Sequence, residues 1–163
     1  RYYYGGRFNE AAAMQQSALE FAPNDHRVWG RLAESYRFVA GKERESGNAY
    51  RRAADLAEEK LKVDEGDWAT RGLLALYYVH SERGEQGLRM ADRAVADSRR
   101  NPEALYYQGL ARVELNNTEG AIDALEEALK GDPQYRQFLL SDPDLVALRE
   151  TERFKQVLAS GKQ

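Results

Sequence analysis

Apolar residues recur three and four positions apart along most of the chain, against faces rich in Glu, Arg and Lys, which is the period of a helix and not of a strand. Trp29, Leu32, Ala33 and Tyr36 make one such stripe, and Ala121, Leu125 and Ala128 make another. Four prolines, Pro23, Pro102, Pro133 and Pro143, punctuate the pattern, because proline has no N–H to give a helix interior but is tolerated in a first turn. Read between these breaks, the stripes predict helices over 8–22, 26–40, 45–63, 68–81, 86–98, 102–115, 119–131 and 144–159, with no strand. The expected fold is all-α.

The stripes are themselves periodic. A small residue near the end of every second helix recurs at Ala18, Ala53, Ala94 and Ala128, at intervals of 35, 41 and 34 residues. One domain over 1–163 is expected, divided into a partial repeat 1–25, repeats 26–67, 68–101 and 102–134, and a capping segment 135–163. The long middle interval falls where Ala53, Ala54, Leu56, Ala57 and Leu61 continue a helical stripe, so the second helix of repeat 26–67 should run about two turns beyond its peers. Small residues such as Ala33, Ala75, Gly109 and Ala94 let paired helices approach, while Tyr36, Tyr50 and Tyr78 fill the gaps towards the next pair. Gly87 stands where alanine is usual, which should make helix 86–98 the less stable one. At the C-terminus, Asp142 before Pro143 is a helix start, and Leu145, Leu148, Phe154, Val157 and Leu158 can cover the open end of the last pair.

From Pro102 to Pro133 the order Leu105, Gly109, the Asn116–Asn117 turn, Ala121, Leu125, Ala128 and the closing proline resembles the tetratricopeptide pattern, with Arg112 where that pattern usually has Tyr. The resemblance implies a right-handed superhelix of antiparallel helix pairs ending in a C-terminal capping helix. The run YRRAADLAEE over 50–59, the pair Tyr77 and Tyr78, and DPDLVALRETERF over 142–154 are similar to the C-terminal tetratricopeptide regions of bacterial serine/threonine protein kinases, nucleotide cyclases and winged-helix regulators. That likeness implies a non-catalytic interaction scaffold within a larger bacterial signalling protein. No kinase, cyclase or DNA-binding motif lies within these residues.

Charge narrows the function classes. The 24 basic and 27 acidic residues leave a net charge of −3, so no global field draws nucleic acid. Arg89, Arg93, Arg99 and Arg100 make a basic strip, but Asp92 and Asp97 interrupt it. Cysteine is absent, which removes disulfides and thiolate chemistry. The apolar run over 72–80 is far shorter than the roughly 20 residues of a spanning helix. The chain begins at Arg1 without Met, and reads as part of a longer protein; a cytoplasmic setting is expected, or a periplasmic one behind a transmembrane segment. Tyr2, Tyr3 and Tyr4 read as packing for a truncated first helix.

Catalytic chemistry finds no constellation. His26 and His80 are 54 residues apart and neither belongs to a helical metal-ligand pair. Glu58 with Glu59, and Glu126 with Glu127, are sequence neighbours that do not converge on a helix surface. No enzyme, cofactor or metal site is expected.

The resemblance implies that the first helix of each pair lines a concave groove. Its expected residues are Arg27, Gly30, Glu34, Arg37 and Phe38 in the second repeat, Ala69, Gly72, Leu76, Val79 and His80 in the third, and Glu103, Tyr106, Leu110, Val113 and Glu114 in the fourth. Partly apolar with charged edges, the set suits an amphipathic helix or extended peptide of a partner protein. Leu76, Val79, Leu110 and Val113 read equally well as packing between neighbouring helices. Arg27, Gly30 and Glu34 stand where the Lys and Asn array that clamps a chain-terminal carboxylate in some co-chaperones would begin. The alternative role is a structural or self-associating module, with a homo-oligomer as its product.

Overall fold

The computed structural model describes residues 7–160; Tyr2, Tyr3, Tyr4 and Gly6 lie outside the described residues. Helices α1 (Phe8–Phe21), α2 (His26–Arg37), α3 (Glu43–Val63), α4 (Trp68–Val79), α5 (Gly84–Asp97), α6 (Pro102–Glu114) and α7 (Thr118–Gly131) follow one another through short turns. No strand occurs among the described residues. Side chains set the helix starts: Asp25 accepts a hydrogen bond from the Arg27 N–H, Asp67 from Thr70, Asn101 from Glu103, and Asn117 from Gly120. Each bond satisfies one of the donors a first turn leaves open, a contribution of about 1 kcal/mol.

The turns join α2 to α3, α4 to α5 and α6 to α7 as packed antiparallel pairs, with α1 against α2. Pairs then stack, α3 against α4, and α4 and α5 both against α6, which gives an all-α, tetratricopeptide-like fold. Ala33, Ala53, Ala57, Ala75, Ala91, Ala94, Ala121 and Ala128 are completely buried, so backbones meet wherever these small residues face each other. Helix α3 runs 21 residues against 12 to 14 for the other helices from α1 to α7.

Gly87 has a packing reason. A Cβ there would lie 2.7 Å from the Ala75 carbonyl oxygen and 2.6 Å from a Val79 methyl, so α5 approaches α4 more closely than alanine permits. The left-handed Arg99 (φ 55°) and Arg100 (φ 63°) turn the chain between α5 and α6, just before Pro102 opens α6.

The C-terminal segment corrects the expectation of one helix over 144–159. It is instead α8 (Tyr135–Ser141), a 3₁₀ turn (Pro143–Leu145), α9 (Val146–Arg149) and α10 (Glu152–Ser160). The break is chemical: Asp142 is extended (φ −66°, ψ 123°), it caps the next turn by accepting from the Asp144 N–H, and Pro143 cannot donate back into α8. Leu139, Leu145, Leu148, Phe154 and Val157 are buried in the same core as Ile122, Leu125 and Leu129 of α7, so the broken segment still closes the end of the stack.

Candidate functional site: a concave cleft with a clasped end

The first helices of the pairs form the floor of a cleft of about 930 Å³. Gly30 and Glu34 of α2, Leu73, Leu76 and Tyr77 of α4, and Tyr106 and Leu110 of α6 make that floor. One wall is Ala11, Met14 and Gln15 of α1; the opposite wall is Tyr135 and Phe138 of α8 with Asp142 and Asp144 of the capping segment. Arg27, Asp67, Ala69 and Glu103 mark the end where the floor helices begin. The volume falls in the range of ligand-binding clefts, and the mix of rings, aliphatic side chains and a few polar groups is the usual composition of one.

Where the floor helices end, side chains tie the walls together. Arg37 at the end of α2 donates to Glu114 at the end of α6 (3.1 Å), 77 residues away, and to Asp144 of the capping segment, 107 residues away. Burial opposes the guanidinium charge, but Tyr50 and the Asp144 and Glu114 carboxylates outweigh it and hold the arginine protonated. Burial raises Glu114 above the usual carboxylate range, against the pull of Arg37. His80 Nδ1 is 3.5 Å from Glu114, yet burial and the Arg37 charge push its pKa down to about 3, so near neutral pH it is an uncharged ring stacked on Tyr50 at 4.8 Å.

His80, Glu114 and Asp144 present ligand atoms within 4.8 Å of one another. Arg37 already bonds both carboxylates, so a divalent cation would have to displace a guanidinium; the geometry is that of an ion-pair clasp. His26, the other histidine, meets the Tyr77 hydroxyl through Nδ1 at 3.2 Å, and burial with the Lys60 charge lowers its pKa.

An aromatic wall flanks the floor. The Tyr106 ring lies 5.5 Å from Tyr135, 6.0 Å from Phe138 and 6.2 Å from Tyr107, and Tyr135 is 5.6 Å from Phe138, all at tilted angles. Two carboxylates anchor it: the Tyr107 hydroxyl donates to Glu103 (2.7 Å) and the Tyr106 hydroxyl to Asp142. Burial raises the Asp142 pKa against the effect of that bond.

Of the groove residues read from the sequence, Arg27, Gly30, Glu34, Ala69, Leu76, His80, Glu103, Tyr106 and Leu110 line the cleft. The others do not. Arg37 and Glu114 make the clasp, and Phe38 stacks on Phe8 at 4.7 Å. Gly72 faces Tyr107, Val79 packs beside Gly87, and Val113 packs on the core around α6 and α7. Leu73 and Tyr107 were missed because the lining stripe is wider than one residue per turn, and each sits one position after a residue that was named. Tyr135, Phe138, Asp142 and Asp144 were missed for another reason: they join the cleft through closure of the stack, which no local spacing encodes.

Among the described residues no helix is long and apolar enough to cross a membrane. No protein-family model matches the chain. No curated protein matches it either. Among solved structures it is similar to the crystal structure of MamA, at a TM-score of 0.48 and 15% identity, over 96% of this chain and 85% of that one. The fold assignment rests on the helix pairing itself and not on that likeness.

Proposed function

We propose that the chain is a non-catalytic scaffold that holds a segment of a partner protein in its concave cleft, as the interaction region of a larger bacterial signalling or regulatory protein. The observation that carries this reading is the cleft: about 930 Å³ bounded by three floor helices and two walls, with rings and aliphatic side chains between polar edges. Such a surface gives a peptide a few anchor sites, and anchors of that kind dominate binding energy. A catalytic role is disfavoured by the state of the histidines. His80 is a poor base with its pKa near 3, and His26 is taken up by Tyr77. The link to signalling proteins rests on the sequence resemblance of segments 50–59 and 142–154.

The test is a selection from a displayed random-peptide library on the wild-type protein, with binding of the enriched peptides then measured on two variants. Ala69→Arg fills the cleft and should abolish binding with helical content intact. Arg89→Glu, on the exposed face of α5, should bind as wild type. The opposite pattern would move the site to the outer face.

A further inference from the structure

Resting on the reading that the cleft takes a partner segment, we propose that the Tyr50 hydroxyl, at the clasped end of the cleft, donates a hydrogen bond to the side-chain carboxamide of an asparagine or glutamine in that segment. Tyr50 belongs to α3, and its ring packs against Tyr77 at 6.4 Å and His80 at 4.8 Å. The residue is 3% exposed, lines the cleft, and makes no hydrogen bond through its hydroxyl among the described residues. Three other phenols of the cleft are engaged: Tyr77 donates to the His26 carbonyl at 3.2 Å, Tyr107 to Glu103 at 2.7 Å, and Tyr106 to Asp142. A buried polar group left without a partner is rare enough to call for a reason.

The hydroxyl is reachable. Among the described residues, the side-chain atoms that are both unbonded and fully covered are Arg37 Nε and Arg136 Nη1, so the Tyr50 oxygen keeps an opening. Tyr50 also borders a smaller hollow of about 320 Å³, lined on its far side by Arg44, Arg51 and Glu82. The charges acting on the phenol tell which side its oxygen faces. Burial raises its pKa well above the ordinary value, the Glu34 carboxylate adds to this, Arg37 opposes it, and Asp144 and Glu114 add again. Glu34 and Asp144 line the cleft, and no charge confined to the smaller hollow is among these leading forces. Held protonated, the phenol is a donor. In an open cleft solvent meets such a hydroxyl, but a bound segment that shuts solvent out must bring the acceptor itself. Three carboxylates against one guanidinium act on the spot, so a carboxylate acceptor is repelled, and an ammonium or guanidinium has no lone pair to offer. A carboxamide has both parts: an oxygen for the phenol, and N–H donors for the acidic surroundings.

The experiment uses the peptides enriched on the wild-type protein, their counterparts with Asn changed to Leu or Gln to Met, and the variant Tyr50→Phe, which removes the hydroxyl and keeps the ring. Melting followed by circular dichroism comes first. With no internal bond to lose, Tyr50→Phe should unfold at or above the wild-type temperature; a clear drop would reveal a partner within the chain and overturn the inference. Expected in the selection is Asn or Gln at one peptide position. Tyr50→Phe should bind such a peptide about fivefold more weakly, the worth of one hydrogen bond between neutral groups, and bind the apolar counterpart as the wild type does. Weaker binding to Tyr50→Phe with no Asn or Gln preference gives the bond to a main-chain carbonyl and overturns the carboxamide, as does enrichment of Asp or Glu at that position. Peptides that lose binding to Ala69→Arg but are indifferent to Tyr50→Phe overturn this inference while the cleft reading stands. A selection that enriches nothing, or peptides indifferent to Ala69→Arg, overturns both.

Discussion

Removing the Arg37 guanidinium should loosen the stack from its closed end. Arg37 bridges α2, α6 and the capping segment, with its side chain 23% exposed and its partners Glu114 and Asp144 at 27% and 7%. Exposed ion pairs contribute about 0–1 kcal/mol, whereas breaking a fully buried pair costs about 3–5. A clasp of intermediate burial with two partners belongs between them, so Arg37→Ala should cost about 2–3 kcal/mol, or roughly 5–10 °C of Tm for a chain of this size. A second signature separates this from lost packing. Burial is the larger force holding His80 neutral and the Arg37 charge the second, so removing Arg37 raises the His80 pKa part of the way back beside Glu114. The stability gap between wild type and variant should therefore narrow as the pH falls below about 6. Calorimetric melts from pH 5 to 8, with an Arg37→Ala/Asp144→Asn double-mutant cycle, measure both effects. A coupling below about 0.5 kcal/mol, with a gap that does not change with pH, would refute the clasp.

Two further outcomes follow from packing and titration. Ala128→Leu and Gly87→Ala should each destabilise by about 1–3 kcal/mol in a denaturant titration; alanine would be the better helix former at position 87, but its Cβ has no room against the Ala75 carbonyl. Folding depresses the proton affinity of His80 from the model-compound value of 6.5 to about 3, so protonation favours the unfolded chain. The stability held by the neutral ring is complete above about 6.5 and is lost as the pH falls towards 3; His80→Gln should flatten that part of the stability profile.

The stack was legible in the sequence because its determinants are local. Alanine spacing and apolar stripes each fix a helix or a pair without reference to the rest of the chain; the caps at Asp25, Asp67 and Asn101 are equally local but lie outside those stripes. The C-terminal segment was harder. Asp142 and Pro143 were read correctly as a start, but the stripe from Leu145 to Leu158 carries helical period across the break at Thr151, where α9 gives way to α10. The cleft was half legible. Floor residues follow from helix phase, while Tyr135, Phe138 and Asp144 acquire their places only when the stacked pairs bring the cap within reach of α2. Arg37 shows the limit best: its position at the end of a lining stripe suggested a binding anchor, and closure supplied it with two carboxylates from 77 and 107 residues away.

The central claim, that a partner segment lies in the concave cleft, is tested most directly by methyl-resolved NMR of the protein titrated with a peptide selected on it. Shifts confined to Ala11, Met14, Ala69, Leu73, Leu76 and Leu110, residues drawn from α1, α4 and α6, are the predicted result. Shifts confined to Ala96 and Val63, on the exposed sides of α5 and α3, with the cleft methyls unmoved, would contradict it.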